Sequence, residues 1–182
     1  MLCSSKLFLA SAILLLPLAA RSQVSAYGAA AVTEFAVTPV NSSNLSFKSG
    51  TPGFIVGGFY DFPIDSRLTA GLDLRLAESP GAKGGTSAAL ALRVGFVPHK
   101  VRLRPYFELG GGLLSTSTNA ELVNDGVRAG TYNNGALALI FGLDVRVTRS
   151  IDIRALEIGD EASNVSGTGY LDAGVVYHFR PR

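Results

Sequence analysis

Five stretches of the chain alternate, residue by residue, between two faces. In the first, Leu68, Ala70, Leu72, Leu74 and Leu76 lie opposite Thr69, Gly71, Asp73, Arg75 and Ala77. In the second, Ala88, Leu90, Leu92, Val94 and Phe96 oppose Ser87, Ala89, Ala91, Arg93 and Gly95. The third sets Leu103, Pro105, Phe107, Leu109 and Leu113 against Arg104, Tyr106, Glu108, Gly110 and Gly112. The fourth sets Leu137, Leu139, Phe141, Leu143 and Val145 against Ala138, Ile140, Gly142, Asp144 and Arg146. In the last, Leu171, Ala173, Val175, Tyr177 and Phe179 oppose Tyr170, Asp172, Gly174, Val176 and His178. A period of two marks β-strands whose faces meet different surroundings.

Three weaker runs complete a set of eight strands. Val24 to Val37 places Tyr27, Ala29, Ala31, Phe35 and Val37 opposite Gly28, Ala30 and Glu34, and Gly53 to Phe62 is apolar on both faces until Asp61. Ile151, Ile153 and Ala155 alternate with Asp152 and Arg154 until Glu157 breaks the phase, the mark of a β-bulge. Short turns fall at Pro63 to Arg67, Pro98 to Val101 and Thr148 to Ser150. Longer, turn-rich connections fall at Thr38 to Pro52, Glu78 to Thr86, Ser115 to Thr131 and Gly159 to Gly167. The alternation predicts an all-β, eight-stranded antiparallel up-and-down barrel, with four longer loops on one side and three short turns on the other.

The second face decides which solvent the barrel meets. A soluble barrel turns its charges outward, but here the charges share a face with glycine and alanine, as in a narrow lumen where small residues make room for long ones. The continuous apolar face then meets lipid, and closure satisfies every backbone group. If Thr148 to Ser150 form a three-residue turn, Arg146 faces Asp152 and Asp144 faces Arg154, both opposite in charge. With His99 and Lys100 at a turn tip, Arg93 faces Tyr106 and Glu108 is diagonal to it. The expected lumen network is Asp73, Arg75, Arg93, Arg104, Glu108, Asp144, Arg146, Asp152, Arg154 and Asp172. Such a filled lumen does not suit a steady diffusion pore.

The segment before Gln23 follows another pattern. Lys6 precedes an apolar run from Leu7 to Ala20 that is shorter than the roughly 20 residues of a spanning helix, and Ala20-Arg21-Ser22 supplies small residues at alternate positions. Residues 1–22 are therefore expected to be a secretory signal peptide, and residues 23–182 the barrel domain. The chain carries 16 Lys+Arg against 14 Asp+Glu. Loss of Lys6 and Arg21 leaves 14 against 14, which removes the electrostatic case for a nucleic-acid partner. Cys3 is the single cysteine, and His99 and His178 are the two histidines, so no metal cluster, cofactor site or thiol nucleophile is expected. Gly110 to Gly112 lacks the Lys-Ser/Thr of a phosphate loop. His178 reads as a hydrogen-bonded lumen or rim residue, and Asp125, Asp160 and Glu161 read as loop acids.

Pro105-Tyr106-Phe107-Glu108-Leu109-Gly110-Gly111-Gly112, the Leu143 to Ile153 hairpin and above all Ala173-Gly174-Val175-Val176-Tyr177-His178-Phe179 resemble the small OmpA/OmpX-type and opacity-type outer-membrane barrels of Gram-negative bacteria. The resemblance implies location in the outer membrane after signal-dependent export. It also implies that Tyr177 and Phe179, in the closing strand, form the signal read by the outer-membrane assembly machinery; Arg180-Pro181-Arg182 departs from the usual end at Phe. The implied partners are outer-membrane lipid, lipopolysaccharide, and host or envelope proteins met through the loops, with 115–131 the foremost contact. The expected role is structural, adhesive or surface-interacting, without catalysis. The alternatives are a small gated channel, a soluble secreted ligand-binding barrel and a lipid-modifying enzyme.

Overall fold

The structure, a computed structural model, describes residues 23–37, 46–47, 50–80, 84–98, 101–118, 130–163 and 166–179. Its strands are β1 (Gln23–Val37), the two-residue β2 (Ser46–Phe47), β3 (Thr51–Pro63), β4 (Leu68–Ser79), β5 (Gly85–Phe96), β6 (Leu103–Thr118), β7 (Gly130–Arg146), β8 (Ile151–Ala162) and β9 (Ser166–His178). Each long strand pairs antiparallel with the next, and β1 pairs with β9 from Ser25↔His178 to Val37↔Ser166. The eight long strands thus close into an up-and-down barrel that has no edge. The small β2 extends the β1 ladder at Ala36↔Phe47.

The alternation sorts inside from outside. Leu72, Leu74, Leu90, Leu92, Leu109, Phe141, Ile158 and Val175 point outward and are exposed, while Asp73, Arg75, Arg93, Glu108 and Asp144 are buried in the lumen. A water-soluble protein would not leave so continuous an apolar belt uncovered. On β1, Tyr27, Ala29 and Ala31 face the lumen and the smaller Gly28 and Ala30 face out. On this strand the larger side chain turns inward, where Tyr27 covers Gly57 on β3.

Two registers differ in kind. Asp144↔Arg154 and Arg146↔Asp152 pair across β7 and β8. Arg93, expected opposite Tyr106, instead faces Glu108, and Tyr106 faces Gly95. Pro105 has no N–H to continue that ladder, so the connection runs longer than a two-residue tip and shifts the register by two positions. The strands extend into the segments read as long connections, at 78–79 and 85–86 in Glu78 to Thr86 and at 159–162 and 166–167 in Gly159 to Gly167, since Ser, Thr and Gly keep the ladder going at its outer end. Glu161, expected in a loop, is consequently a buried β8 side chain, while Asp160 is exposed beside it. Residues 1–22, His99, Asp125, 119–129 and 180–182 lie outside the described residues.

Candidate functional site

The lumen is the candidate site, and Arg75 on β4 is its centre. Arg75 Nη1 donates to Glu157 Oε1 at 2.7 Å and to the Tyr170 hydroxyl at 2.6 Å, Nη2 donates to Glu108 Oε2 at 2.9 Å, and Nε lies 3.5 Å from Asp73 Oδ1. Arg93 on β5 donates from Nη1 to the other Glu108 oxygen at 2.5 Å and from Nη2 to Asp144 Oδ2 at 3.1 Å. Its guanidinium stacks 3.5 Å from the Tyr106 ring centroid and 4.2 Å from that of Phe59. Arg154 on β8 reaches Asp144 Oδ1 at 3.3 Å and Glu157 Oε2 at 2.9 Å. Each carboxylate thus serves two strands or more, and the network laces the barrel across its interior.

Glu157 enters this network through a bulge. The β8–β9 register shifts between Arg154 and Glu157, so Ala155 and Leu156 both face outward and Glu157 turns inward. Without that extra residue Glu157 would lie on the lipid side. The tyrosines follow another rule: Tyr27, Tyr106 and Tyr170 each pair across the ladder with a glycine, Gly57, Gly142 and Gly159 respectively. The ring lies over that glycine, and its hydroxyl reaches the network: Tyr27 donates to Asp73 at 2.8 Å and Tyr106 to Glu157. A Cβ on Gly142 would strike the Tyr106 ring. Gly142→Ala is therefore expected to destabilise the barrel by about 1–3 kcal/mol, read as a lower urea midpoint for loss of folded protein in vesicles. Circular dichroism suits this assay because the chain has no tryptophan.

Near the short turns, Arg104 donates to Asp152 Oδ2 at 2.7 Å, and His178 Nε2 lies 3.0 Å from the same oxygen. Ser25 Oγ is 2.7 Å from His178 Nδ1. These three side chains have the order of a nucleophile, a base and an orienting acid. Ser25, however, is 1% exposed, and it lines neither the cavity of about 10 Å³ beside His178 nor the one of about 200 Å³ formed by Gln23, Asp61 and the first short turn. The Ser25–His178 contact clamps β1 to β9 where the barrel closes. Ile55 and Ile140 are fully buried in an apolar cluster with Ala29, Ala31, Ala77 and Ala138.

Of the ten expected network residues, the structure puts all on the lumen side, with Arg146 half-buried and the rest buried. Arg146 stands opposite Asp152, but Asp152 is engaged by Arg104 and His178. Asp172 faces Glu157, another acid, across the β8–β9 ladder. Tyr177 and Phe179 point outward with their rings edge to face at 5.3 Å. Sequence reasoning left out Glu157, Glu161, Asp61 and the three tyrosines. The phase break at Glu157 and the place of Tyr106 and Tyr170 on the charge-bearing face are the signals that point to them.

A closed eight-stranded barrel with an outward apolar belt and an ionic lumen is the fold of the small OmpA/OmpX-type outer-membrane barrels. Among solved structures, the chain is similar to Ail, the attachment invasion locus protein of Yersinia pestis, with TM-score 0.58 and 12% identity over 87% of this chain and 99% of that one. It is also similar to neisserial surface protein A, with TM-score 0.55 and 15% identity over 86% and 97%. The N-terminal barrel domain of Pseudomonas aeruginosa OprF gives TM-score 0.53 and 16% identity over 87% and 99%. Identities this low define the fold and leave the activity open. No family model and no curated protein matches the sequence.

Proposed function

We propose that the chain is an integral outer-membrane barrel of a Gram-negative bacterium, exported by its leader, with a side-chain-filled lumen and a structural, adhesive or surface-interaction role carried by the loop end. The observation behind this reading is the inversion of polarity: large apolar side chains exposed on every long strand around a lumen of paired charges. Lipid is the surrounding in which both halves of that inversion are favourable. The structure of Ail in complex with the heparin analogue sucrose octasulfate supports an interaction role for a barrel of this fold. On this reading Tyr177 and Phe179 are the pair presented to the assembly machinery, lipopolysaccharide surrounds the loop end, and residues 115–131 make the foremost outward contact.

The test is gel mobility in SDS with and without boiling, on protein from fractionated envelopes. A faster unboiled band in the outer-membrane fraction is the expected result. A soluble protein with one mobility would refute the membrane reading and turn the apolar belt into a buried interface.

A further inference from the structure

Each of the three short turns exposes one aliphatic side chain and one arginine, at differing spacings. Ile64 and Arg67 stand out from the turn between β3 and β4, Val101 and Arg102 from that between β5 and β6, and Val147 and Arg149 from that between β7 and β8. The aliphatic members are 61%, 53% and 53% exposed, and all three arginines are exposed. Among the described residues, none of the three guanidiniums has a carboxylate within ion-pair distance. Asp65, the acid described in these turns, has its Oδ1 committed to the backbone N–H groups of Arg67 at 2.5 Å and Leu68 at 2.8 Å. Those two bonds, and to a smaller degree the Arg67 charge beyond ion-pair distance, hold its carboxyl below the ordinary range.

The turn backbones are braced. The Arg67 carbonyl accepts from Val97 N at 2.6 Å and the Arg102 carbonyl from Arg146 N at 2.8 Å, so each of these turns is tied to the next hairpin. Thr148 Oγ1 accepts from Ser150 N at 3.2 Å and Ile151 N at 2.9 Å, and the Ser150 carbonyl accepts from His178 N at 2.8 Å. The guanidiniums therefore project from a fixed rim, which lowers the ordering cost of binding.

An aliphatic group beside a guanidinium suits the boundary of a bilayer, where one enters the acyl region and the other meets phosphate. We propose that this rim binds the phosphodiester headgroups of anionic phospholipids in the leaflet facing the short turns, the periplasmic one. The inference rests on the membrane-barrel reading and adds to it a lipid class and a place. A hydrated cell-wall polymer also carries anions, but it would leave Ile64, Val101 and Val147 in water, whereas a leaflet covers both members of each pair.

The experiment places the purified barrel in phosphatidylcholine vesicles and measures its association with spin-labelled phosphatidylglycerol and spin-labelled phosphatidylcholine. The barrel is expected to favour the anionic probe about five-fold at low salt, with the preference shrinking at high salt. The triple variant R67Q/R102Q/R149Q loses the preference while keeping the heat-dependent gel shift. The single variants, each removing part of the preference, serve if the triple variant does not assemble. Equal association of the two probes, or a preference unchanged by these substitutions, overturns the proposal. Retention on peptidoglycan sacculi through the same arginines, without a lipid preference, overturns it in favour of the wall. A chain that never enters the vesicles instead refutes the barrel reading on which the proposal stands.

Discussion

Arg75→Ala is expected to lower barrel stability by about 3–5 kcal/mol, the cost of breaking a buried ion pair from one side. Arg75 has no exposed surface, and its removal takes one partner at once from Glu157, Glu108 and the Tyr170 hydroxyl. Glu108 would then rely on Arg93 and Glu157 on Arg154, and both of these arginines are shared with Asp144. The measurement is the urea dependence of the folded fraction in vesicles, with the slope unchanged and the midpoint lowered. Pairing the substitution with Glu157→Gln removes one stranded charge and is expected to recover part of the loss. A loss below about 1 kcal/mol for Arg75→Ala would mean that water already screens the network, as it does surface pairs.

The second large effect lies on the other face. Leu92 is 64% exposed, in mid-belt on β5 opposite Leu72 and Leu109. On a soluble protein, arginine at so open a site changes stability by about 0.5 kcal/mol or less. In a bilayer, Leu92→Arg is expected to cost about 2–4 kcal/mol, whereas Val147→Arg at the turn end costs about 0–1 kcal/mol. The contrast between the two positions is the measurement that matters. Equal, small effects at both would show that the belt does not face hydrocarbon.

The strand count, the closed topology and the two faces of the strongest runs were legible because each rests on local alternation. The Asp144–Arg154 register was legible too, since a three-residue turn leaves little freedom. The Arg93 register was not: Pro105 ends its ladder early, and turn length cannot be read from the residues alone. Glu157 lay beyond reach for a related reason, because a phase break reveals a bulge without saying which side chain it redirects. The tyrosine–glycine pairs and the Ser25–His178 contact depend on which strands become neighbours, and the latter joins residues 153 positions apart. On β1 the two faces differ little in polarity, so alternation alone does not say that Tyr27 turns inward and Gly28 and Ala30 outward.

The partners of Arg75 lie 33, 82 and 95 residues further along the chain, at Glu108, Glu157 and Tyr170. A sheet containing only the strands through β5 therefore carries Arg75 and Arg93 with Asp73 and Asp61 as their acids. Glu108 arrives with β6, Asp144 with β7 and Glu157 with β8, so Arg75 and Arg93 gain their short contacts strand by strand and the network reaches its final form late. Hydrocarbon penalises unmatched charge most heavily. Entry into the bilayer consequently rewards the finished sheet over any fragment of it, and the lumen acts as a checkpoint by which an incomplete chain is left unstable.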